Sequence, residues 1–237
     1  MSFDKRFYGI YRGVVVDNED PENLNRLRVQ VPQVTGAEVT DWIDICGSGS
    51  GATTITPIYG AFSDYTTQTV TANTATAMRL GTVDEANGIS IVSNTRITLS
   101  RSGTYNFQWS GQFQNIDTQL HDVSVWMRKN GVDITGSTGL ISVPNTHAAG
   151  HGHTLAGWNF VMSGEKNDYY EFYWSADDAK VTLQTYGTST LPTRPSTASL
   201  VVTVTPVGNI LPLINESVWI MYIAGDPNFP VWMGVSK

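Results

Sequence analysis

Hydrophobic residues along this chain alternate with polar ones far more often than they recur at a helical spacing. From Arg26 to Gln33 (RLRVQVPQ), Leu27, Val29 and Val31 fall on one side, and Arg26, Arg28 and Gln30 on the other. That is the period of a half-buried strand. Phe7 to Asp17 (FYGIYRGVVVD) predicts a strand ahead of it, and Asp41 to Cys46 (DWIDIC) a third. The run Gly47 to Gly51 (GSGSG) carries no core-forming side chain and reads as a linker.

Beyond the linker the pattern changes to short strands at fairly regular spacing. Gln68–Thr71, Ile89–Val92, Arg96–Leu99, Gly103–Phe113, Asp122–Lys129, Gly157–Met162, Tyr170–Ser175, Val181–Thr185 and Ser199–Thr205 are the predicted elements. In Thr104 to Ser110 (TYNFQWS) aromatic and polar residues alternate, as one buried sheet face requires. Lys129-Asn130-Gly131-Val132 carries the dipeptide of a tight hairpin turn. Many short strands with such turns predict an antiparallel sandwich.

The C-terminal residues again show the pattern found ahead of the linker. Ser217 to Ile223 (SVWIMYI) and Pro230 to Val235 (PVWMGV) are strands, with a turn at Gly225-Asp226-Pro227-Asn228 between them. Neither end of the chain holds enough strands for a fold of its own, but together they hold the inventory of one five-stranded barrel. The predicted organisation is therefore all-β: a discontinuous barrel from residues 1–52 and 208–237, with a sandwich inserted at 53–207.

Composition narrows the function. Charged residues are 15% of the chain and the net charge is −7. The deficit of Lys and Arg argues against a nucleic-acid partner, because phosphate binding needs a cationic surface. No stretch approaches the ~20 apolar residues of a membrane helix. Met1 to Arg6 lacks the apolar run of a secretion signal, so synthesis in a cytoplasm is expected. The lone Cys46 excludes an intrachain disulfide and is expected to be a buried thiol.

Tyr8 to Asp17, Asn25 to Gln33 and the ending Val218 to Gly234, with its Gly225-Asp226-Pro227 and Pro230-Val231-Trp232-Met233-Gly234, resemble the OB domain of phage tail baseplate hub and spike proteins. The strand of type R-V-x-V-P and the late G-D-P-x-x-P-V-W-x-G stand in the family's order. The insertion resembles complement/tumour-necrosis-factor-type jelly rolls. Gly88 to Ile91, Gly103 to Phe107, Trp126 to Gly131 and Asp168 to Phe172 carry that likeness. Together the resemblances imply a virion structural protein of the tail or baseplate, not an enzyme. An OB-like barrel docks it to other tail proteins and a jelly roll projects as an assembly module. Both families are usually threefold, which implies a homotrimer. The alternative is a receptor-binding module contacting a host-surface glycan. The chain departs from the spike proteins in having no lysozyme-like segment or long β-helix, which leaves a puncturing role unsupported.

Few residues suggest chemistry. His147-Ala148-Ala149-Gly150-His151-Gly152-His153 holds a His-x-His pair, His151 and His153, whose imidazoles lie on one side of an extended segment. On a threefold axis the pair would offer six nitrogens to a transition metal such as iron. The plainer reading is a polar, glycine-rich loop. Arg26 and Arg28 face outward, either as a subunit contact or as a solvated strand face. Glu165 and Asp168, and the tip Asp177-Asp178, read as solvated turns. Trp219 and Trp232 are expected in the core, and Tyr169, Tyr170 and Tyr173 as half-buried strand aromatics. No acid/base pair or nucleophile set is spaced for catalysis.

Overall fold

The computed structural model of the chain describes residues 5–22, 24–46, 58–148, 150–207 and 211–236, so the Gly47 to Gly51 linker lies outside the described residues. The all-β expectation is borne out. Among the described residues the helical turns are Pro32–Thr35 and the 3-10 segment Ile223–Gly225. The chain divides into two compact units, Met1–Pro57 with Asn209–Lys237, and Ile58–Gly208.

In the first unit four strands form one antiparallel sheet in the order Arg28–Gln30, Ile10–Asp17, Ser217–Tyr222, Pro230–Val235. The first and last strands of this sheet would be free edges, but the stretch from Val39 to Ile45 bridges both. Gln30 pairs with Val39 and Leu27 with Ile43, antiparallel, while Ile45 pairs with Trp232 in parallel. The Cys46 N–H donates to the Trp232 carbonyl at 2.7 Å and the Trp232 N–H to the Asp44 carbonyl at 3.1 Å. Among the described residues both edge strands are thus bridged, and the sheet closes into a barrel.

Asp41 to Cys46 is accordingly not a regular strand, which corrects the sequence expectation. It is a run of isolated bridges, because it must serve two neighbours of opposite direction within a few residues. Alternation fills the barrel: Val15, Leu27, Val29, Val31, Val218 and Ile220 are fully buried, joined by Ile43, Tyr222, Trp232 and Phe7. Two expectations fail here. Trp219 is 41% exposed, because Val218, Ile220 and Tyr222 take the inward positions of its strand. Cys46 is exposed, on the outward phase that follows Ile43 and Ile45.

The second unit is a pair of sheets packed face to face. Gly103–Asn115 runs through the middle of one. It has Gly152–Gly164 along one side, and Val181–Leu183 and Leu200–Pro206 in succession along the other. His121–Lys129 and Tyr169–Ala176 form the centre of the second sheet. Ring contacts fasten the two inner faces: Phe107 to Tyr170 at 4.5 Å, Phe113 to Trp174 at 5.9 Å and Trp109 to Phe172 at 6.1 Å. Each such pair adds roughly 0.5–1.5 kcal/mol beyond the area it buries. The Asn130-Gly131 turn takes the left-handed angles its residues predict, with φ of 52° and 82° between the paired Lys129 and Val132.

Candidate functional site

The chemistry of the second unit gathers at one end of the sandwich. There Gly103–Asn115 and Tyr169–Ala176 finish while His121–Lys129, Gly152–Gly164 and Val181–Leu183 begin. The sandwich needs loops at this end, and the loops carry Asp117, Asp177, Asp178 and Lys180. Asn115 anchors them. It is fully buried, its amide donates to the Gln119 carbonyl at 2.7 Å, and its side-chain oxygen accepts the Asp117 N–H at 2.8 Å.

His121 stands at the centre, with both ring nitrogens engaged. Nδ1 lies 2.9 Å from Asp177 Oδ1 and Nε2 lies 3.1 Å from Asp117 Oδ2. Lys180 Nζ reaches the same Asp117 oxygen at 2.9 Å. Hydrogen bonds from Lys180, and then from His121, hold the Asp117 carboxyl below the usual carboxylate range. Burial pulls the His121 imidazole down, but Asp117, Asp177 and Asp178 together outweigh it and raise it above its ordinary value. Asp117, His121 and Asp178 each offer a donor atom within 4.8 Å of the others, a set able to hold a metal ion. Sequence reasoning missed this group. The Asp177-Asp178 turn was visible, but its proximity to His121 depends on strand pairing.

The His-x-His pair is arranged differently. His153 is on the outward face of Gly152–Gly164, its Nδ1 2.9 Å from the Tyr186 hydroxyl, which also accepts from Gln114 Nε2 at 3.0 Å. Burial, then the neighbouring His151 and His147, lowers its pKa. His151 is exposed and precedes the strand.

Arg26 is tied into its own loop. Its guanidinium grips Asp20 through Nε at 2.9 Å and Nη2 at 2.7 Å, and also meets Glu22 at 3.0 Å. Arg28 Nε donates to the Thr40 carbonyl at 3.1 Å, which helps seat the bridging stretch. Asp168 is not a solvated turn residue. It pairs with Lys129 at 2.7 Å and accepts from the Asn130 amide at 2.7 Å, bracing the hairpin. Tyr170 is fully buried, whereas Tyr169 and Tyr173 are half-buried on the outward face. Arg128 lies 3.8 Å from the Tyr173 ring centre, and Trp126 stacks beside that ring at 5.9 Å.

In the barrel unit an open groove of about 680 Å³ runs between the bridging stretch and the final turn, with Val39, Trp42, Ile223 and Phe229 in its wall. Ile223 and Phe229 are exposed apolar residues.

A family model for the type VI secretion system/phage-baseplate injector OB domain matches residues 11–60. The match starts within Ile10–Asp17 and ends within Tyr59–Asp64, the first strand of the second unit, while Ser217–Tyr222 and Pro230–Val235 lie beyond it. No curated protein matches the chain. The match points to a structural role in a tail or baseplate for the segment it covers. No helix among the described residues is long and apolar enough to cross a membrane.

Proposed function

We propose that this protein is a non-enzymatic structural subunit of a phage tail or related injection baseplate, and that its barrel docks it to neighbouring tail proteins. The observation that carries the reading is the closed barrel itself. Residues 11–60 match the injector OB domain, and the closing strands Ser217–Tyr222 and Pro230–Val235 complete the ring those residues begin. The groove walled by Ile223 and Phe229 supplies apolar surface for a neighbour.

The sandwich acts in this reading as a homotrimerising module of the jelly-roll type. Its strand Gly152–Gly164 pairs with Gly103–Asn115 alone among the described strands, and presents Leu155 and Val161 at 64% and 58% exposure. A strand of 13 residues with one open edge invites a partner, and a rotational assembly provides cover for such edges. In such a trimer His151 and His153 are the candidate axial metal ligands. A second reading, adhesion to a host-surface glycan, draws on the outward Trp126, Tyr173 and Arg128 row, since sugars stack on aromatic faces.

Light scattering on the full chain is expected to give the mass of three copies, and a monomer at high concentration overturns the trimer. Tail particles from a genome lacking this chain are expected to lose baseplate integrity, restored by the intact chain in trans. Normal, infective particles without it overturn the structural role. Particles that assemble but fail to adsorb favour adhesion.

A further inference from the structure

We propose that Asp117, His121 and Asp178 bind a divalent first-row transition metal ion, which clamps the loops at one end of the sandwich. Their donor atoms already converge within 4.8 Å of one another. His121 Nε2 and Asp117 Oδ2 are 3.1 Å apart. Two donors at ~2.1 Å from one ion stand roughly 3.4 Å apart in a tetrahedron, so this pair needs almost no movement. The Asp178 Oδ1 accepts the Lys180 N–H at 2.8 Å, which anchors that carboxylate beside the other two donors.

A cluster of acids alone would not justify a site, but here an imidazole is held in the arrangement that metal ligands use. Asp177 Oδ1 takes Nδ1 at 2.9 Å, fixing the ring so that Nε2 points at Asp117 Oδ2. Asp117 is fixed as well. Its Oδ1 accepts the Thr118 N–H at 2.7 Å, and the buried Asn115 holds its backbone, so Oδ2 is aimed inward. A positive charge already occupies that oxygen, because Lys180 Nζ sits 2.9 Å away. Lys180 is 51% exposed, so its ammonium can move out into water and a divalent ion takes its place at the more enclosed Asp117.

On binding, the metal takes the Nε2 lone pair, the proton there leaves to solvent, and the Lys180 ammonium swings out. Water completes the coordination. One imidazole with two carboxylates selects zinc, iron, cobalt or nickel over calcium and magnesium, which prefer all-oxygen shells. The site shares no donor with His151 and His153.

Titration of the full-length protein with Co2+, followed by its visible absorption and by calorimetry with Zn2+, tests the site. The expected result is one ion per chain, with Zn2+ displacing Co2+. Asp177→Asn is expected to weaken binding about 10- to 100-fold. His121→Asn or Asp178→Asn abolishes it, and His151→Asn with His153→Asn leaves it unchanged. Lys180→Ala keeps every donor and removes the competing cation, so it tightens binding several-fold even if a ligand variant folds poorly. The proposal is overturned by no cobalt spectrum, or by binding that survives His121→Asn. It is equally overturned by binding lost with His151 and His153, by calcium bound as tightly as zinc, or by no gain from Lys180→Ala.

Discussion

Ile45 and Trp232 form the parallel bridge that turns an open four-stranded sheet into a closed barrel. One partner precedes the sandwich in the chain and the other follows it, so the barrel exists only when both ends of the chain have met. Trp232 contributes its backbone to the seam and its fully buried indole to the core.

Trp232→Ala should therefore cost about 3–5 kcal/mol of barrel stability, the range for removing a buried aromatic. The indole N–H has no hydrogen-bond partner. Trp232→Phe removes that unmet donor while keeping most of the volume, so its cost should stay below about 1.5 kcal/mol. Urea unfolding followed by a barrel-specific probe checks both. Equal losses for the two variants would mean that the side chain's bulk is not what matters.

Gly225 sits at φ +72°, and a Cβ there would meet the Tyr8 ring at 2.9 Å and the Phe7 nitrogen at 3.1 Å. Gly225→Ala combines a left-handed penalty with crowding against backbone, and should destabilise by about 1–3 kcal/mol. Differential scanning calorimetry should show a lowered transition. An unchanged one would show that the turn relaxes without strain.

Acid should weaken the loop that precedes Arg28–Gln30. The Arg26 guanidinium, followed by backbone N–H groups of Glu22, Arg26 and Leu24, holds the buried Asp20 carboxyl well below the usual carboxylate range. The folded state thus favours the charged form. Its stabilisation is complete above the unfolded carboxylate's value, about 4, and is lost as pH falls below that toward the depressed folded value. Asp20→Asn should lower the unfolding midpoint at neutral pH and flatten its decline in acid. A variant with the wild-type acid profile would contradict this.

Asn115→Ala removes a buried amide that satisfies the Gln119 carbonyl and the Asp117 N–H. The groups left unpaired should cost about 1–3 kcal/mol, and protection from hydrogen exchange should fall around Asp117 and His121. Unchanged exchange there would mean that the loops are held by other contacts.

Much of this fold was legible because alternation reports burial directly. Leu27, Val29 and Val31 all lie inside, as do Tyr105, Phe107 and Trp109. The strand Thr82–Asn87 (TVDEAN) left no such signal, since nearly all its residues are exposed and its place is set by pairing with Tyr59–Asp64. Tryptophan identity misled at Trp219, where the strand's own alternation pointed outward. The His121 cluster was hidden for a different reason. Its donors come from separate loops, and only the pairing of His121–Lys129 with Tyr169–Ala176 brings Asp177 and Asp178 to it. Asp117 and His121, four apart across a loop, were the one local hint.

Immunogold electron microscopy of intact tail particles, with antibodies against the sandwich, tests the structural role most directly. Label confined to the baseplate end of the tail is the predicted result. Particles that carry no label anywhere, although the infected cell makes the protein in quantity, would contradict a place in the tail.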